Sequence, residues 1–193
     1  MSVDYGEALA AADFGGFMKT FGPGTYFKDA DKRTVPVRGG HVFDDIDREY
    51  EALRQHHDIV PGHVPEPYAA AVGDDGEMMG YWMEEIDGDR MDQYRFDADP
   101  GTVDVDAVEE ELEHIVEKLH AEESFHGDIS LSNMFHLPGE DRIVLFDPVG
   151  TCEDDALRDE LQEKDRKYAA RTIANLEEDV QTARQDAAVP ASG

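Results

Sequence analysis

Cysteine is almost missing from this chain of 193 residues, with Cys152 the single one. No disulfide can form within the chain, and a cysteine-based zinc site is excluded. Basic residues are scarce too: 17 stand against 46 acidic ones, for a formal net charge of −29. A surface of that sign repels nucleic-acid backbones and anionic membranes, so no direct nucleic-acid or membrane partner is expected. No apolar run approaches the roughly 20 residues a bilayer span requires. The N-terminus shows no basic segment followed by an apolar one, so no secretion signal is expected. A reducing cytoplasm is the expected compartment. Internal repeats are lacking as well.

What is present is enough apolar material for a core. Hydrophobic residues make up 40% of the chain, which excludes global disorder. The length suits one domain, or two small lobes sharing a cleft. The acid is dispersed through DDIDREYE, EEIDGDRMD, VDVDAVEEELE and RDELQEKD, and Arg outnumbers Lys. Acidic interaction proteins more often carry their charge in one block. Dispersed acid with an arginine excess resembles proteins of salt-accumulating archaea or their viruses, and a halophilic protein is expected. At molar salt the Debye length is about 3 Å, which screens the self-repulsion.

Periodicity sets out the elements. GGFMKTFGPGTYF reads as two short strands around a glycine turn, and TVPVRGG as a strand ending at Gly39 and Gly40. Residues 44–56 carry Phe43, Ile46, Tyr50 and Leu53 at helical spacing, and Pro61, Pro65 and Pro67 then start a loop. GEMMGYWME alternates as a strand, with Met79, Tyr81 and Met83 on one face. Residues 104–122 form the clearest helix, on the stripe Val105, Val108, Leu112, Ile115, Val116 and Leu119. A short strand over 133–136, a turn and the strand IVLF follow. A last helix is expected from about 155 to 180, then a flexible tail, QDAAVPASG (185–193). Segregated strands and helices predict an α+β fold. His56, His57 and His63 read as exposed polar residues before the proline loop.

The chemistry sits in HGDISLSNMF, residues 126–135, and IVLFDPVG, residues 143–150. Asp128 follows a helix and a short linker. Asn133 opens one apolar strand and Asp147 closes the next, and the tight hairpin LPGEDR brings those two ends together. An amide oxygen and a carboxylate are hard ligands that suit Mg²⁺ together with phosphate oxygens. A second carboxylate can accept a proton from a substrate hydroxyl. These are the parts of a phosphoryl-transfer centre: base, metal-binding Asn and metal-binding Asp. Three fixed residues at set spacing recur by chance in roughly one position per several thousand.

His126 to Asn133 resembles the H-x-D-x-x-x-x-N catalytic loop of the protein-kinase-like superfamily, and Asp147-Pro-Val-Gly150 resembles its D-F-G element. HGD in place of HRD resembles aminoglycoside and choline phosphotransferases and the small atypical kinases. Among these, DISLSN is most similar to the RIO kinases and the archaeal kinase of the KEOPS complex, which tend to carry Ser or Thr two residues after the aspartate. The close match covers residues 126–150. The resemblance implies a two-lobed fold, with residues 1–83 as an N-terminal lobe and 84–184 as a truncated C-terminal lobe.

It also implies ATP and Mg²⁺ as cofactors, with Asp128 as catalytic base and Asn133 and Asp147 on the metal. WMEEIDGDRM resembles the strand-to-hinge segment, so Met83 would back the adenine and the main chain of Glu84 to Ile86 would meet its edge. Gly22 and Gly24 resemble a shortened phosphate-covering loop. EYEALRQ resembles the helix that offers a glutamate to the nucleotide-binding lysine. On a helical wheel Glu49 borders the buried face while Glu51 points away, which selects Glu49. Arg38 falls where the lysine is expected; Lys28 or Lys32 serves instead if the strand lies earlier in the chain. Arg and Lys are not equivalent there. His126 would tie the loop's backbone together.

The expected activity is that of an ATP-dependent Ser/Thr-type kinase acting on a protein or on itself, with room for a regulatory partner protein. Two alternatives stand beside it: a small-molecule phosphotransferase that borrows its pocket from a partner, and a nucleotide-binding pseudokinase.

Overall fold

The computed structural model describes residues 25–29, 46–74, 76–93, 103–137, 142–149 and 154–188. Gly22, Gly24, Arg38, Cys152 and the strand expected over 34–40 lie outside the described residues.

The first described sheet has three antiparallel strands, β1 (Thr25–Asp29), β2 (Pro67–Val72) and β3 (Met78–Glu84), in the order β1-β3-β2. Tyr26 pairs with Met83 and Lys28 with Tyr81, so these residues share one face. Helix α1 (Ile46–Ile59) lies between β1 and β2 in the chain and turns Ile46, Glu49, Ala52, Leu53 and His56 inward at spacings of three and four. Its first turn carries Asp47 and Glu49, which complement the positive end of the helix dipole. Pro61 stops it.

The second sheet joins β4 (Asp89–Arg90), β5 (Met134–Leu137) and β6 (Arg142–Leu145) in that order. Between β4 and β5 runs α2 (Val105–Ala121), opened by Asp104, whose carboxylate accepts from Ala107 N at 3.3 Å. Val108, Leu112, Ile115, Val116 and Leu119 form its buried stripe. The long α3 (Asp155–Ala188) packs along it through Ala169, Ile173, Leu176 and Val180. One hydrophobic cluster links Leu53, Tyr81 and Met83 with Met91, Leu112, Met134, Leu145 and Leu176, so both sheets rest on a shared core. Each large side chain fully removed from water there contributes about 1.5–3 kcal/mol. The fold is α+β, as expected. No helix among the described residues is long and apolar enough to cross a membrane.

Four details depart from the sequence reading. Helix α1 continues past His56 to Ile59, because Val60 and Val64 still have core to bury. Residues 67–72, read as loop, pair as β2; Pro67 is tolerated as the strand's first residue. Helix α3 runs to Ala188, through residues read as tail. His56 is buried rather than exposed, at 1% exposure, with its Nε2 2.9 Å from Ser124 Oγ.

Candidate active site

The β5–β6 hairpin aligns two ends of the chain. Met134 pairs with Leu145, which leaves Asn133 beside Phe146 and Asp147. Phe146 N donates to Asn133 O at 3.1 Å and closes that end. Across the loop, the Asn133 amide nitrogen donates to Asp128 Oδ2 at 2.8 Å and to the Asp128 carbonyl at 3.0 Å. With its nitrogen turned to Asp128, Asn133 presents its amide oxygen elsewhere. Asp128 itself is exposed. Asp147 has φ +60°, a left-handed conformation that Asp accepts better than most side chains. Its carboxylate accepts from the Lys28 ammonium, which comes from β1.

Lys28 also pairs with Glu49 Oε1 at 2.5 Å. Glu49 is fully buried on α1, whereas Lys28 keeps 12% of its side chain exposed and Asp147 31%. An unpaired carboxylate at that depth would be very costly, so the pair is a requirement of the burial. The Tyr81 hydroxyl on β3 donates to the same Glu49 oxygen. Polar contacts therefore run from α1 through β1 to Asp147, and a second set runs from its chain neighbour Phe146 to Asn133 and Asp128.

The loop bearing Asp128 is seated on α3. Asp165 is fully buried and takes the main-chain N–H of His126 on Oδ2 and of Gly127 on Oδ1, each at 2.7 Å. Lys164 donates to the Gly127 carbonyl at 3.1 Å, and Thr172 Oγ1 to the Ile129 carbonyl at 3.3 Å. Gly127 has φ +82°, and a Cβ there would stand 2.1 Å from Val149 Cγ2. Only glycine combines that φ with that approach.

His126 binds the loop together from within. Its Nε2 donates to the Phe146 carbonyl at 3.0 Å while Nδ1 accepts from Asp128 N at 3.4 Å. Those roles require the neutral ring, and burial lowers its pKa against the opposing pull of Asp165 and Asp128. The His56 ring stacks on it at 6.2 Å, and burial, then His126, lowers the His56 pKa to about 3.

The Arg90 guanidinium, within electrostatic reach of Asp147, is held by Asp92 through bonds of 2.9 and 2.5 Å. Its pKa is raised, first by that bond and further by the charges of Asp92 and Asp147.

Of the residues singled out from the sequence, Asp128, Asn133, Asp147 and Glu49 belong to this one constellation. Met83 is buried on the Tyr81 face of β3. Glu84 ends that strand, and its N–H donates to the Glu66 carbonyl at 2.9 Å. Ile86 lies half-buried in the link to β4. Among the described residues, the cation bonded to Glu49 is Lys28, from β1; Arg38 lies outside them. Asp165 and Tyr81 were not singled out. Asp165 had a visible signal, since it lies four residues from Leu161 and from Ala169 on the apolar stripe of α3.

Compared with protein-family models and with curated proteins, the chain finds no match in either.

Proposed function

We propose that this chain is a compact, two-lobed protein-kinase-like enzyme that moves the terminal phosphoryl group of Mg·ATP to a hydroxyl. The observation that carries the reading is the Lys28 ammonium bonded to both Glu49 and Asp147, beside a hairpin end that holds Asn133 against Asp128. On this reading residues 1–83 form the smaller lobe and 84–184 the larger, with the cleft between them.

Asn133 and Asp147 offer an amide and a carboxylate oxygen, a donor set that fits Mg²⁺ once phosphate oxygens and water complete its shell. When bound there, Mg²⁺ supplies neutralisation of phosphate charge. Lys28 holds the phosphates, and Glu49 fixes Lys28. Asp128 is exposed at the loop surface, where it can orient an acceptor hydroxyl and take its proton. The hydroxyl oxygen then forms its bond to the terminal phosphorus as the bond to the bridging oxygen breaks and ADP leaves. Most of the rate in such chemistry comes from positioning and from preorganised charge. Fixing the loop on Asp165, Lys164 and Thr172 serves that end.

A protein hydroxyl, on another chain or on this one, is the acceptor that suits the fold. Beyond residue 154 the described chain offers the single helix α3, too little to enclose a small molecule. The pseudokinase alternative rested on Arg38 standing where the lysine is expected, and Lys28 in contact with Glu49 supports the active reading over it. The dispersed acid supports a protein that works in concentrated salt.

The experiment is a thermal-shift titration with ATP in high KCl. Mg·ATP raises Tm in the wild type, and Asp147→Ala removes the Mg²⁺-dependent part of the rise. An unchanged shift in the variant takes Asp147 out of the metal site.

A further inference from the structure

Two donors from facing strands meet one oxygen. The Tyr81 hydroxyl and the Lys28 ammonium both donate to Glu49 Oε1. Tyr81 stands directly opposite Lys28 in the β1–β3 ladder, so phenol and ammonium leave the sheet from the same face. Glu49 and Tyr81 are fully buried, while Lys28 retains some exposure and also reaches Asp147. The Tyr81 ring is set against Tyr50 at 5.2 Å, and its hydroxyl is fixed where Glu49 lies.

A buried carboxylate facing one cation holds that cation strongly, because little solvent screens the pair. A second donor on the same oxygen takes up part of that charge. It also keeps the carboxylate hydrogen-bonded when the ammonium turns elsewhere, which spares the penalty of a stranded buried charge. The geometry points to Tyr81 as a positioning residue: it tempers the hold of Glu49 on Lys28, so that the ammonium can exchange Asp147 for a nucleotide phosphate. The inference rests on the cleft being a Mg·ATP site, and it adds to that reading a residue that sets nucleotide affinity without touching the nucleotide.

The test is Tyr81→Phe, which keeps the ring and its packing and removes the hydroxyl. Mg·ATP affinity is measured by calorimetry in high KCl, alone and in a Glu49→Gln background, with Tyr68→Phe as a control that strips a hydroxyl from the neighbouring strand. Tyr81→Phe is expected to weaken Mg·ATP binding about tenfold, equivalent to about 1.4 kcal/mol. It is expected to leave KM for the protein acceptor within about twofold and to have less than about a twofold effect once Glu49 is Gln. A tenfold loss that persists in the Glu49→Gln background overturns the inference, since Tyr81 then acts by another route. Wild-type affinity in Tyr81→Phe overturns it while leaving the nucleotide reading intact. A wild type that binds no Mg·ATP overturns both.

Discussion

Lys28 and Asp147, 119 residues apart in the chain, are joined by an ion pair. The contact ties the sheet that carries Lys28 to the hairpin that carries Asp147, and it places a cation on the carboxylate assigned to the metal. On the proposed reading, nucleotide and metal entry redistributes the partners of Lys28 rather than filling an indifferent space.

Lys28→Met takes from the buried Glu49 its bond to the Lys28 ammonium and leaves it the Tyr81 hydroxyl. Phosphotransfer is expected to fall at least about a hundredfold, the scale of one preorganised charge at a reacting centre. The melting temperature is expected to drop as well, because one partner of a buried pair has gone. Steady-state assay and thermal melting of the same preparation check both. Undiminished turnover would return the role to Arg38 or Lys32.

Gly127→Ala meets two obstacles, a φ of +82° and Val149 Cγ2 at 2.1 Å from the new methyl. A loss of about 1–3 kcal/mol in unfolding free energy is expected. Val149→Ala opens the space, so the double variant should recover part of the loss relative to the sum of the singles. Strict additivity in denaturant melts would show that the two residues do not contact as described.

The buried His56 makes stability depend on pH in a definite direction. Its pKa is lowered from 6.5 to about 3 by burial and by His126, against the pull of Asp165, and Ser124 accepts or donates at its Nε2. Above pH 6.5 the ring is neutral in both folded and unfolded chains. Below it the unfolded chain takes up a proton that the folded one refuses, so stability falls as pH drops toward about 3. At pH 5 this group should have cost about 2 kcal/mol, from about 1.4 kcal/mol per pH unit. His56→Gln should reduce the loss of stability between pH 7 and pH 5 by that amount in guanidinium melts at fixed high KCl. Equal losses in both proteins would count against a buried neutral His56.

The net charge of −29 should make the fold depend on salt. Lowering KCl from about 1 M to about 0.01 M lengthens the Debye length from about 3 Å to about 30 Å and restores repulsion among the carboxylates. A melting temperature that falls steadily over that range is expected. A flat profile would contradict the halophilic reading.

The parts of this fold that could be read from the sequence are those set by local period or spacing. The stripes of α1 and α2 announce themselves at 3.6 residues per turn, and the hairpin between Asn133 and Asp147 follows from two short apolar runs around a proline-glycine turn. Glu49 was separable from Glu51 because a helical wheel suffices to tell a buried face from an exposed one. The partner of Glu49 was not legible, because strand pairing is non-local and nothing in TYFKD states that it lies against YWME. Strand β2 was missed for a related reason: PYAAAV has weak strand propensity and is held by its pairing with β3. His56 could have been placed, since it lies three and four residues beyond Leu53 and Ala52 on the buried stripe, but its polarity outweighed the period. Asp165 was hidden among the charges of RDELQEKDRKY, although it stands on the apolar stripe of α3.

The most direct test of the convergence of Asp128, Asn133, Asp147 and Lys28 is transfer of label from γ-labelled ATP to protein in high KCl with Mg²⁺, comparing the wild type with Asp128→Asn. Labelled protein that forms with the wild type and is lost in the variant, with Mg·ATP binding retained, is the expected result. Nucleotide binding with no transfer by either protein, or equal transfer by both, would contradict the assignment of Asp128 as the base.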